Sequence, residues 1–255
     1  MRSCLLALAF LVAVPASGAP CVAHSGAQTA ALVELYASEG CSSCPPADRW
    51  LSTLSGRFGE RVVPLSLHVN YWDYLGWKDP YAQRRFSERQ RKLSLLQRMA
   101  LVYTPQVVVQ GHDFRGWNSA AFDAEVHRIN GRPAAAALAV EIRAAGPAGL
   151  VAGVRGEVLD PAQRADAALY IAAFQNRLHS DVAAGENEGR RISHDYVVLQ
   201  WQGPIKATSE GGFSESRQLA LLPTATPATS GVAAFVQNRR NGEVLQALML
   251  AACSP

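Results

Sequence analysis

Beyond its first residues the sequence has no apolar run approaching the ~20 residues that a membrane-spanning helix needs, which excludes a helical anchor further along the chain. An excess of either charge is also lacking: 24 Lys and Arg stand against 21 Asp and Glu, a formal net charge of +3. So small a surplus over 255 residues argues against nucleic acid as a partner. No second Cys/His pair with finger spacing accompanies the single CxxC, so a structural zinc site built on it would be two ligands short. Internal repeats and low-complexity tracts are absent, and no cofactor or resident metal is expected. Cysteine is scarce, five in all, and the placement of those five carries most of the information.

Arg2 precedes the apolar run Leu5–Val14, and Ala16-Ser17-Gly18 offers small residues where a signal peptidase reads. Residues 1–18 are therefore expected to be a cleaved secretory signal that sends the chain to the periplasm or the exterior. Loss of Arg2 lowers the net charge from +3 to +2, and loss of Cys4 lowers the cysteine count from five to four. Pro20, where a lipoprotein signal wants a small residue before Cys21, argues against a lipid anchor. Four cysteines in an oxidising compartment allow three pairings. Cys21 and Cys253 lie at opposite ends of the mature chain and read as a staple, worth up to ~5 kcal/mol in the chain-entropy model.

The other pair is Cys41-Ser42-Ser43-Cys44, which follows the strand-like run Ala30–Tyr36 and opens a helix. Two thiols on a helix's first turn close a disulfide with little chain movement, and the positive end of the helix dipole favours a thiolate. In a redox pair the first cysteine is expected to be exposed and the second buried. Pro45 and Pro46 suit a first turn, where amides are unpaired, so the helix is expected to start with Cys44 near its N-cap.

Thr104-Pro105 stands directly before the apolar strand Gln106–Gln110 and is read either as an ordinary turn or as a platform for a substrate backbone. Glu34, a lone acid within Leu32-Val33-Glu34-Leu35, is either on a solvated face or buried beneath the cysteines, where it would move a proton for Cys44. The segment His68–Pro80 is rich in aromatics. Its Trp72 and Trp77 either pack in the core or form an apolar groove beside the CxxC, and His68 either makes an ordinary hydrogen bond or assists the thiolate.

From Ala30 to Gly131 strand and helix patterns alternate, an α/β order. Helical spacing over Tyr81–Ala100 sets Phe86, Leu93, Leu96 and Met99 on one stripe, with Arg84, Arg85, Arg89, Arg91, Lys92 and Arg98 around it. That basic face is either solvated or a dock for an acidic partner. After Pro133 short alternating runs take over, and Asn241-Gly242 is the strongest hairpin signal. The expected organisation is an α/β domain over 28–131 followed by an all-β sandwich-like domain over 134–253. His179, Asp181, His194 and Asp195 cluster in sequence, but with no recognisable metal-site spacing.

Val33–Asp48, His68–Pro80, Tyr103-Thr104-Pro105-Gln106, Gly185–Arg190 and Ala234–Gln237 together closely resemble the bacterial secreted proteins called domain of unknown function 1223. The resemblance covers nearly the whole mature chain and implies a thioredoxin-like fold. Against thioredoxins proper, Glu34 falls near their buried strand acid, Ser42-Ser43 replaces Gly-Pro, and Pro45 replaces a basic residue. The leading expectation is an exported thiol-disulfide oxidoreductase acting on protein thiols or disulfides. Cys41 would attack, Cys44 resolve, Glu34 carry the proton, and Thr104-Pro105 seat the substrate. The alternative is a binding module in which the CxxC is structural or, with His68, carries Cu(I).

Overall fold

The computed structural model describes residues 21–146 and 149–253; the expected signal segment 1–18 lies outside them. Strand β1 (Cys21–His24) leads to β2 (Ala31–Ala37), α1 (Pro45–Ser52), α2 (Leu54–Phe58), β3 (Val62–His68), α3 (Arg84–Leu96), β4 (Gln106–Val109), β5 (His112–Asp113) and α4 (Ala120–Asn130). The remainder is β6 (Ala136–Gly146), β7 (Gly149–Val158), β8 (Ala167–Gln175), β9 (Leu178–Asp181), β10 (Arg191–His194), β11 (Val197–Lys206), β12 (Gly212–Leu219), β13 (Ser230–Asn238) and β14 (Val244–Ala251). None of the helices among the described residues is long and apolar enough to cross a membrane.

The elements assemble into a mixed α/β architecture. An eight-stranded sheet has the order β14-β13-β8-β11-β3-β2-β4-β5, and a four-stranded sheet has the order β1-β6-β7-β12. Within the large sheet β2 and β3 run parallel, β4 is antiparallel to β2, and β5 is antiparallel to β4. On the far side of β3, β11 joins in parallel at Val197 opposite Ser66, and β8, β13 and β14 follow antiparallel. The sheet thus runs straight through the boundary expected at Gly131–Pro133. The antiparallel four-stranded sheet packs on its outer part, with Val140, Val154 and Leu150 against Ile171, Ala234 and Leu248.

Period-two alternation decides what lies on each face. On β2, Leu32 and Tyr36 join Leu65, Leu67 and Val63 of β3 in a core closed by Phe86 and Leu93 of α3. The intervening Ala31, Val33, Leu35 and Ala37 face the opposite side, where they meet Leu51 of α1, Phe58 of α2 and Phe122 of α4. Helices therefore cover both faces. Strand β8 is buried along its whole length because it too is covered on both sides, which explains its unbroken apolar run Ala167–Phe174.

Several local expectations hold. Cys44 is the N-cap of α1, with Pro45 and Pro46 in its first turn. The hairpin between β13 and β14 turns at Gly242 with φ of 83°, a conformation that glycine adopts without a Cβ clash. Cys21 and Cys253 form a disulfide with a Cα separation of 5.8 Å. The helix expected over Tyr81–Ala100 is shorter, Arg84–Leu96.

Candidate functional site

The loop 38–44 leaves the end of central strand β2 and delivers Cys41 and Cys44 to the start of α1, where they are disulfide-bonded at a Cα separation of 5.5 Å. Both side chains are shut away from solvent, Cys41 at 0% and Cys44 at 1% exposure, so the expectation of an exposed Cys41 is corrected. The loop 182–190, which closes on itself through the Val182 and Gly189 amides, is hydrogen-bonded to the backbone beside the two cysteines. From that loop the buried Asn187 Nδ2 donates to the carbonyls of Glu39 (2.8 Å) and Cys41 (2.9 Å), and the amide of Ser42 donates to Glu186 Oε2 (2.9 Å). The charged, Gly-flanked segment 185–190 is thus the lid of the CxxC, formed by residues about 146 positions away in sequence.

Trp72 lies against the same apolar cluster as the cysteines, and its Nε1 donates to Thr104 Oγ1 at 2.8 Å. Gly40 makes this approach possible, since a Cβ there would stand 3.1 Å from Trp72 Cβ. The Thr104–Pro105 peptide is cis and leads into β4. Trp77 is tied inward instead, its Nε1 donating to Glu39 Oε2 at 2.7 Å. An open groove beside the CxxC is lined by other rings: Pro46, Trp50 and Trp117 border a cavity of about 420 Å³, and Trp117 continues into a second of about 320 Å³ with Tyr103 and Arg115.

Glu34 does not lie beneath the cysteines. Alternation along β2 turns it to the α3 face, where it is fully buried and takes two bonds from Arg89, Nε to Oε1 at 2.6 Å and Nη2 to Oε2 at 3.0 Å. Arg89 in turn is packed against Tyr170, Trp201 and Phe235, and the pairing with Glu34 outweighs burial in holding its proton more firmly than usual. A proton role for Glu34 at the CxxC is therefore excluded by which side of the sheet it occupies. Arg89 is also removed from the basic face expected on this helix; of its neighbours there, Arg84 pairs with Glu88 and Arg85 donates to the Trp201 carbonyl.

On the CxxC face sits a buried polar network that sequence reasoning did not assemble. His68 follows its β3 alternation to this side, opposite Ala37, and its Nδ1 meets Asp79 Oδ2 at 2.7 Å. Asp79 also accepts from the amides of Glu39 and Tyr81, each at 2.9 Å. Burial opposes ionisation of this carboxyl, but the neighbouring His68 and those amides prevail and hold its pKa below the ordinary value. His194 of β10 stacks edge-on to His68 with ring centroids 4.8 Å apart, and its Nε2 meets Glu39 Oε1 at 3.0 Å. Its Nδ1 lies 3.5 Å from Asp48 Oδ2, one turn into α1 from Cys44. Burial alone would lower the His194 pKa; the carboxylates of Asp48 and Glu39 overcome it and push the value up to about 10.

His68 Nε2, His194 Nδ1 and Asp48 Oδ1 are buried without a hydrogen-bond partner. Each unmade bond of this kind costs ~1–3 kcal/mol. The three residues present ligand atoms all within 4.8 Å of one another, and neither cysteine belongs to the group. The cluster around His179 suggested by sequence proximity does not form: His179 Nδ1 meets Ser193 Oγ at 3.0 Å, Asp181 pairs loosely with Arg191, and Asp195 Oδ1 accepts from the Arg177 amide. Only His194 turns inward. Glu39 and Asp48 flank the CxxC closely enough that their position was the available signal; Asn187 lies in the Gly-flanked charged segment 185–190, and His194 stood out only as a member of the sequence cluster that does not form.

The architecture is shared with two solved structures. Protein AGR_C_4864 from Agrobacterium tumefaciens superposes with a TM-score of 0.64 at 24% identity, over 91% of this chain and 98% of that one. HBP35 of Porphyromonas gingivalis gives a TM-score of 0.67 at 17% identity, over 89% of this chain and 76% of its own. No curated protein sequence matches significantly. The family model described as "protein of unknown function (DUF1223)" matches residues 32–237, and with most of its length covered the chain belongs to the DUF1223 family.

Proposed function

We propose that the protein is an exported, thioredoxin-like thiol-disulfide oxidoreductase whose redox pair is Cys41 and Cys44. The observation that carries this reading is the position of the CxxC. It caps α1 directly after the central strand of the run β3-β2-β4-β5, with α1 and α3 on opposite faces and Thr104-Pro105 leading β4. Strand order, strand sense and helix placement support the thioredoxin-like reading, and the signal-like segment 1–18 supports export to the periplasm or beyond.

In the oxidising direction a substrate thiolate attacks Cys41 Sγ, the Cys41–Cys44 bond breaks, and Cys44 leaves as the thiolate. A second substrate thiolate then attacks the substrate sulfur of the mixed disulfide and releases Cys41. Two electrons pass to the protein, the substrate gains a disulfide, and its two thiol protons are released. The reducing direction is the same path reversed. The N-terminal end of α1 stabilises the departing thiolate. Because the lid 182–190 bonds the Cys41 carbonyl and the Ser42 amide, substrate entry requires it to lift. An extended substrate would then cross Thr104-Pro105 toward the groove of Pro46, Trp50 and Trp117.

The test is insulin reduction and refolding of a scrambled disulfide protein by the wild type and by Cys41→Ser. Activity is expected only in the wild type, and equal activity in both overturns the assignment. A second reading is favoured by one observation, the exclusion of both cysteines from solvent, which suits a structural disulfide. A reduction potential for this pair below about −300 mV would support that reading.

A further inference from the structure

Asp48, His68 and His194 reach one point from three separate elements, α1, β3 and β10. All three are buried; His68 Nε2 and His194 Nδ1 lack a hydrogen-bond partner, and Asp48, whose Oδ1 is likewise unpartnered, places its Oδ2 3.5 Å from His194 Nδ1. The opposite nitrogen of each ring is already engaged by a carboxylate, His68 Nδ1 by Asp79 at 2.7 Å and His194 Nε2 by Glu39 at 3.0 Å. A carboxylate behind each imidazole fixes the ring and aims its other nitrogen inward, where a metal ion takes the place of the proton that His194 otherwise carries, as in metal centres whose outer carboxylates orient ligating histidines. Three carboxylates surround two imidazoles here, so the cavity's fixed charge favours a cation.

We propose that Asp48, His68 and His194 form a binding site for one divalent transition-metal ion. Two imidazole nitrogens and one carboxylate oxygen are the donor set of zinc, and three protein ligands leave a fourth position free. The Asp48–His194 separation of 3.5 Å is close to the ~3.3 Å edge of a tetrahedral site; from the 4.8 Å spread, His68 closes the triad with a movement of at most about 1.5 Å. The site needs neither thiolate, so it does not rest on the redox reading and is testable with the Cys41–Cys44 disulfide intact.

The oxidised full-length chain, freed of metal by chelation, is titrated with Co²⁺ and then Zn²⁺. The expected result is one Co²⁺ per chain with visible d–d absorption, displaced by one Zn²⁺. X-ray absorption at the zinc edge should show a shell of nitrogen and oxygen with two imidazoles and no sulfur. Asp48→Asn should abolish stoichiometric binding, and Asp79→Asn, behind His68, should weaken it ~10–100-fold. A chain that stays metal-free at saturating Zn²⁺, and therefore holds only water there, overturns the proposal. So does sulfur in the shell, or unchanged affinity in folded Asp48→Asn. Should that variant not fold, the zinc-edge spectrum of the wild type decides the matter by itself.

Discussion

Removing the Asn187 amide should unlock the CxxC. Asn187 is fully buried, and its Nδ2 is the donor to two carbonyls beside the CxxC disulfide, Glu39 at 2.8 Å and Cys41 at 2.9 Å. Its Oδ1 also accepts from Arg190 Nη1 at 3.1 Å within the lid. Asn187→Ala deletes both bonds across the closure, and at a net ~0.5–1.5 kcal/mol each the closed lid loses about 1–3 kcal/mol. That range corresponds to roughly 5–150-fold more open lid. Reduction of a disulfide with no solvent exposure proceeds through the open state, so its rate with dithiothreitol should rise by the same factor. The rate is read by timed alkylation and peptide mapping of Cys41 and Cys44. Glu186→Gln, altered at the exposed bond to the Ser42 amide, serves as the control and should change the rate less than about threefold. A folded Asn187→Ala chain reduced at the wild-type rate would refute the idea that this loop governs access.

Arg89→Met leaves the Glu34 carboxylate buried and unpaired, and should cost about 3–5 kcal/mol in urea denaturation. The same variant should leave the potential of the Cys41/Cys44 couple unmoved, because Glu34 faces the other side of the sheet; a shifted potential would contradict that placement. In the metal-free chain His194, faced by Glu39, Asp48, His68 and Tyr81, has its pKa raised to about 10 in the folded state. Its contribution to stability is therefore complete below the unfolded value of about 6.5 and disappears as pH rises through 10. The urea midpoint should fall between pH 7 and pH 10 in the wild type and stay flatter in His194→Gln. An identical slope in both chains would show that another group titrates there.

Much of this structure was legible in local patterns, and the failures share a cause. The strand-like run Ala30–Tyr36 falls within one residue of β2, and period-two alternation along β3 sets His68 on the face away from Leu65 and Leu67. Two consecutive prolines fixed the start of α1. The facing of Glu34 relative to Cys41 was lost because residues 38–40 break the strand period, so parity along β2 says nothing about the turn that follows. The partners of the lid and of the two histidines were illegible for a different reason. Asn187 and His194 meet residues some 146–155 positions away, and such contacts leave no periodicity in either segment. Strands β8 and β13 read as parts of a separate sandwich because an all-apolar strand has the same appearance in a sandwich core as in the middle of a mixed sheet.

The bridge between Cys21 and Cys253 makes the described chain a covalent ring, and one of its two cysteines is exposed where neither cysteine of the other disulfide is. Cys253 is exposed, whereas Cys41 and Cys44 are sealed under the lid. A dissolved thiol therefore meets the terminal bridge first, and access sets the order in which the two disulfides yield. Mild reductant would open the ring and free β1 from its tether while the CxxC stayed oxidised. Loosened ends would thus be the first sign that this protein had entered a reducing environment.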